Sequence, residues 1–276
     1  MSHLLKNGTS LLRQGNNIFG VKNIFTNQIN DVSGFSSPST IALDIDNNRY
    51  YVGNYFTKTV RIMNYTDNTE IASILFPNPI HGIALDVANN RYYVAQSGNV
   101  SIMNYTTNIR IALITGFANV YSIALDVANN RYYVCNANSN SIRIMNYTTN
   151  IEISLITGFS SPHGIALDIA NNRYYVTNYN SNTVRIMNYT NNTEIALITG
   201  FVNPCGIALD IDNNRYYVCN LTGNTVRIMN YTTNSEISLI TGFSAPLSIA
   251  LDVSNSRYYV CNFVNDTVSI VNQIIS

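Results

Sequence analysis

The chain has 276 residues, and its 15 Lys+Arg balance 15 Asp+Glu, with only 11% of residues charged. That leaves no basic excess to hold a phosphate backbone, while 46% hydrophobic residues allow a large core and exclude disorder. Four cysteines in this length do not make a disulfide scaffold, and no apolar run approaches the roughly 20 residues that span a bilayer.

In chain order, residues 1–26 have no counterpart elsewhere and are expected to form an N-terminal tail on one domain covering 27–276. The first thirty residues hold no continuous apolar stretch, so no secretory leader is expected and the protein is expected to be intracellular. From Ile41 the tetrapeptide Ile-Ala-Leu-Asp recurs at Ile83, Ile123, Ile165, Ile207 and Ile249. The intervals are 42, 40, 42, 42 and 42 residues, and 27 of 35 positions agree between 123–157 and 165–199. In the fourth unit the spacing predicts strands over Ile165–Ile169, Arg173–Asn178, Thr183–Asn188 and Thr193–Thr199. Asn171-Asn172, Tyr179–Asn182 and Tyr189–Asn192 supply the turns between them. Helical periodicity is absent, which excludes stacked helical repeats. Four short strands in each unit of about 42 residues are the signature of a β-propeller blade.

The strings Tyr174-Tyr175-Val176-Thr177-Asn178 and Ile165-Ala166-Leu167-Asp168 resemble the YVTN and NHL propeller repeat families. The resemblance covers residues 27–276 and implies an all-β propeller without implying one activity. The sixth unit supplies strands at Ser248–Val253, Arg257–Asn262 and Thr267–Asn272, and lacks a fourth. Gln28–Phe35 aligns with Glu194–Phe201, so the N-terminal strand is expected to complete blade six and close a monomeric six-bladed ring. Arg61, Arg143, Arg185 and Arg227 each precede a glutamate (Glu70, Glu152, Glu194, Glu236) by nine residues, a spacing that suits a cross-strand ion pair. In blade six the corresponding residues are Ser269 and Gln28, an uncharged pair.

Seventeen of the twenty tyrosines occupy repeated positions and are expected in packing and turns; Tyr55, Tyr121 and Tyr179 fall outside the repeat. The repeated Met63, Met103, Met145, Met187 and Met229 read as core. The six Asp44-type residues, each five before an arginine, read as rim bonds. Cys135, Cys219 and Cys261 share one strand position with Gly, Ala and Thr, which marks small buried side chains. The cysteines are expected to be reduced, with Cys205 the most accessible.

One repeated position varies, two residues before each Ile-Ala-Leu-Asp: Ser39, His81, Tyr121, His163, Cys205 and Leu247, each followed by a small residue. It opens the innermost strand, which lines a propeller's channel. Two histidines and a cysteine facing one axis make His81, His163 and Cys205 a candidate metal set. The family resemblance implies a channel metal only if those ligands converge. Three further variable places are the loops Tyr55–Lys58, Ser97–Asn99 and Phe263–Asp266, whose exposed aromatics suit a protein partner, whereas the ring of six suits a small ligand or ion. Near-identical blades favour a non-enzymatic binding or scaffold propeller. The alternative is a metal-dependent hydrolase or lyase at the channel mouth. RNA binding, a third reading, lacks a basic face.

Overall fold

Short apolar runs separated by Asn-rich turns fold every unit into a four-stranded antiparallel sheet, and six such sheets stand around one axis. This is a computed structural model that describes residues 3–6, 9–14, 17–19 and 26–274. In blade four the strands are Pro162–Asp168, Arg173–Asn178, Thr183–Asn188 and Glu194–Ile198, ordered from axis to rim as they occur in the chain. The innermost strands neighbour one another around the channel, and blade six adjoins blade one. Among the described residues, helix is confined to single 3-10 turns.

Closure comes from the N-terminal side. Thr26–Val32 pairs antiparallel with Thr267–Ile274, in register from Val268 opposite Val32 to Ile274 opposite Thr26. The other five outer strands pair through a bulge; the donated strand does not. This changes one expected pairing. Gln28 stands opposite Asn272, its side chain lying outside the described ones, and Ser269 instead donates to Asp31 Oδ1 at 2.5 Å. The N-terminal tail holds three strands, His3–Lys6, Thr9–Gln14 and Asn17–Phe19, in a small antiparallel sheet of their own.

The repeated tyrosines explain how blades adhere. The second Tyr of each Arg-Tyr-Tyr-Val strand packs against the first Tyr of the next blade, as Tyr51 does on Tyr92 at 5.5 Å. The same pair recurs at all six interfaces, ending with Tyr259 on Tyr50 at 5.8 Å. All twelve rings are buried, and such pairs are worth about 0.5–1.5 kcal/mol each beyond their burial. Five of the six first-position hydroxyls are satisfied within their blades, as Tyr132 OH donates to Asn150 Oδ1 at 3.2 Å, whereas the buried Tyr258 hydroxyl finds no partner among the described residues.

The rim is a hydrogen-bonded latch. Asp86 Oδ1 accepts from Asn89 Nδ2 at 2.8 Å, which fixes the 3-10 turn. Asn90 follows in the left-handed region at φ +55°, a conformation asparagine tolerates better than most residues. Asp86 Oδ2 then accepts from the hydroxyl of Tyr147, in the Asn-Tyr-Thr turn of the next blade. Asp44, Asp126, Asp168 and Asp252 receive Tyr105, Tyr189, Tyr231 and Tyr65 in the same way. The Asn-Tyr-Thr tyrosines, read from sequence as turn formers, are therefore also bonds between blades.

Nearer the outer edge, Arg185 Nε meets Glu194 at 2.5 Å, and its Nη1 donates to the Gly158 carbonyl of the preceding connection at 2.8 Å. Its guanidinium lies over Phe159, 4.8 Å from the ring centroid. Arg61, Arg143 and Arg227 repeat the arrangement, so the nine-residue spacing marks a real ion pair and a second contact between blades.

Two outcomes are expected. Removing residues 1–34 withdraws the outer strand of blade six, so the melting temperature should fall steeply and aggregation should follow. A truncated chain that melts with the full one would disprove closure by this strand. Tyr147→Phe should destabilise by about 1–3 kcal/mol in chemical denaturation, because Asp86 loses a buried donor.

The channel mouth as candidate functional site

The six variable residues share a backbone peculiarity. In blade two Ala95 pairs with Gly82 and Gln96 with Ile80, so His81 is skipped. Ser39, Tyr121 and Leu247 are skipped likewise, and the pairs His163-Gly164 and Cys205-Gly206 fall in the same gap. Each of the six therefore sits in a β-bulge, which turns a side chain out of the pleat. The small residue that follows has a packing cause. A Cβ on Gly164 would lie 2.2 Å from the Cys205 carbonyl oxygen, and one on Gly82 would lie 2.8 Å from that of Tyr121. Neighbouring innermost strands come this close only where side chains are absent or tiny.

All six residues line a cavity of about 160 Å³ on the axis, together with Thr40, Ser122 and Ser248. Above it opens a second cavity of about 290 Å³, a vestibule. His81, Tyr121, His163 and Leu247 reach the vestibule, joined by Tyr55, Tyr179, Phe263, Leu221, Asn180 and Ser161. Ser39 does not: its hydroxyl donates to the backbone carbonyls of Gly53 at 3.1 Å and Ile80 at 2.6 Å. Cys205 also stays below.

The rings form a continuous arc around the mouth. Phe263 meets Tyr55 at 5.6 Å, Tyr55 meets His81 at 5.5 Å, and His81 meets Tyr121 at 4.5 Å. Tyr121 stacks on His163 at 3.8 Å and 10°, and His163 stacks on Tyr179 at 4.4 Å and 18°. The three tyrosines that break the repeat thus converge on one place. Their departure from the repeat is a mark the sequence carries of this site. The Tyr55 and Phe263 loops, expected to form a region apart from the ring of six, are walls of the same vestibule.

Electrostatically the mouth is neutral. Among the described residues no Asp, Glu, Lys or Arg lines either cavity. Burial pushes His81 down to about 4; burial, with His81 nearby, pushes His163 down to about 3. His81 Nε2 is 3.0 Å from Ser97 Oγ, in the shortened hairpin of blade two where Gly98 takes φ +86°. His163 Nδ1 lies 3.5 Å from Cys205 Sγ, and that thiol also points at the Asn203 carbonyl at 3.4 Å.

Two expectations change here. His81, His163 and Cys205 do not form one coordination set, because the Tyr121 ring stands between the two imidazoles. Among the described residues no three His, Cys, Asp or Glu side chains gather as metal ligands. Nor is Cys205 an open thiol: it is 2% exposed, as buried as Cys135, Cys219 and Cys261, and burial raises its pKa well above the usual thiol value. The four cysteines are free.

The site thus belongs to a six-bladed propeller with an uncharged aromatic channel mouth. The family model for the NHL repeat matches residues 159–187, from the end of blade three through three strands of blade four. With five further copies of that unit closing the ring, the blades are NHL-type propeller repeats. No curated protein matches the sequence. Among solved structures, a chain of Kuenenia stuttgartiensis hydrazine synthase is similar in fold, with TM-score 0.70 and 10% identity, over 89% of this chain and 98% of that one. No helix among the described residues is long and apolar enough to cross a membrane.

The buried histidines give the mouth a pH signature. Below their ordinary value of 6.5 they take up protons in the unfolded chain, but in the folded protein only near 4 and 3. Their contribution is complete above pH 6.5 and is lost as pH falls, by about 1.4 kcal/mol per histidine for each pH unit. Replacing both with leucine, the residue blade six already uses as Leu247, should flatten the melting temperature between about pH 6.5 and 4 relative to wild type. Thiol reagents should leave all four cysteines unmodified under native conditions and label all four in denaturant. Rapid native labelling of Cys205 would contradict its burial.

Proposed function

We propose that the protein is a non-catalytic binding module whose recognition site is the vestibule at the channel mouth. The observation that carries this reading is the unbroken arc from Phe263 to Tyr179, built by blades six, one, two, three and four around a cavity without a charged group. Ligand sites combine such apolar walls with a few placed polar groups, and Ser161 and Asn180 supply these here. General acid–base chemistry needs a group that titrates near the working pH; both histidines are held far below it by burial. The structural neighbour comes from an enzyme, hydrazine synthase, but at this identity the likeness supports a shared fold and no shared activity.

A protein partner docking over the mouth is compatible with the same reading. Phe56, next to Tyr55 in the chain and packed on the Phe263 ring, is 67% exposed, and an exposed aromatic in such a place can anchor an interface.

Ligand-observed NMR with a set of uncharged small molecules should give binders to the wild type that are lost in Tyr121→Ala and retained in Leu197→Ser, a change on the outer edge. Elemental analysis of the purified protein should show no stoichiometric transition metal. Stoichiometric metal that disappears in His81→Leu/His163→Leu would overturn this reading in favour of a metal-dependent hydrolase or lyase.

A further inference from the structure

We propose that the vestibule binds a neutral pyranose ring, stacked on the outer face of Tyr179 with its hydroxyl edge toward Asn180 and Ser161. The inference rests on the reading of the mouth as a binding site and names its ligand class.

Charge is the first constraint. Among the described residues the vestibule has no Lys or Arg for a phosphate or carboxylate and no Asp or Glu for an ammonium group. Its two imidazoles are uncharged at neutral pH. A charged ligand would give up hydration there without a partner.

Geometry is the second. Tyr121 lies between two imidazoles and His163 between two tyrosines, so those rings offer the cavity mainly their edges. Tyr179 differs. His163 covers one face, and among the described residues no ring packs on the other. Tyr179 is half-buried as a residue and lines a cavity whose other walls include Leu221, Leu247 and Phe263. A single open aromatic face opposite aliphatic walls accepts a flat ligand with one apolar side.

Polarity is the third. Asn180 is exposed and lies next to Tyr179 in the chain, Ser161 sits beside His163, and the floor is a channel lined by Thr40, Ser122 and Ser248. A purely hydrocarbon ligand would cover these groups and leave them without water. A pyranose has a C–H face for the tyrosine and a rim of hydroxyls that donate and accept, matching amide and hydroxyl partners. The cavity of about 290 Å³ sits at the small end of ligand pockets, which suits one terminal ring of a glycan as well as a free monosaccharide.

The test uses the full chain and five probes: glucose, galactose, mannose and N-acetylglucosamine, each as the methyl glycoside, with adenine as a non-sugar ring. Saturation-transfer NMR should show contact through the axial C–H protons of at least one glycoside. Titration should show binding weakened about tenfold or more in Tyr179→Ala, and Tyr179→Phe should retain it. The melting temperature of each variant reports whether the ring still folds. If a monosaccharide binds, the corresponding oligosaccharide shows whether the natural source is a chain end. Binding of adenine but of no glycoside would overturn the sugar assignment while sparing the mouth as a binding site. Glycoside binding unchanged in a folded Tyr179→Ala protein would overturn the stacking site. No binding of any glycoside at millimolar concentration would overturn the proposal.

Discussion

A propeller blade has two faces and must bury both, and here that requirement is met by the contact of one tyrosine with the next. Each blade offers its second Arg-Tyr-Tyr-Val tyrosine forward and its first backward, so a blade with neighbours on both sides has no exposed ring. An open chain of five or six blades would leave one tyrosine bare at each end. Tyr259 on Tyr50 removes that cost, but only if blade six is complete, and the strand Thr26–Val32 completes it. The rim latch follows the same circular logic: an aspartate of one blade holds its own turn through asparagine and its neighbour through tyrosine.

The circle is not perfectly uniform. Between blades five and six the residue at the latch tyrosine's position is Gln273. Asp210 there turns both carboxylate oxygens to its own Asn213, at 2.9 and 3.1 Å. The Arg–Glu contact is likewise missing in blades two and six, where Ser101 and Ser269 take the arginine position: Ser101 accepts from the Gln96 amide, and Ser269 accepts from the Asn262 amide and donates to the Asp31 carboxylate. The tyrosine pairs at the blade interfaces are never interrupted, which marks them as the contacts the ring depends on most.

A frame this repetitive confines variation to places that touch no neighbour's core. The bulge at the head of each innermost strand is such a place: its side chain leaves the pleat and faces the axis, where five different residue types fit without altering a blade. The loops between second and third strands are another, and Tyr55, Tyr179 and Phe263 come from them. The two sets meet above the channel, so departures from the repeat gather in one cavity. Their low polarity then acts on the histidines, whose burial keeps them neutral and makes them part of an aromatic wall.

The sequence by itself determined the strand count, the period, the six-blade ring and the donated strand, because each is a local pattern repeated until chance is excluded. It also marked the Arg–Glu pairs and the ring of Ser39, His81, Tyr121, His163, Cys205 and Leu247. It did not show that the Asn-Tyr-Thr tyrosine reaches an aspartate one blade away, since that bond spans 61 residues between Tyr147 and Asp86. It could not show that Tyr121 separates the histidines or that Cys205 is closed off, because bulge direction and ring stacking arise only when neighbouring blades are in place. Tyr55, Tyr121 and Tyr179 were visible as exceptions to the repeat, but periodicity assigns a residue to a blade and not to an azimuth around the axis. Ring closure alone brought these three to one cavity.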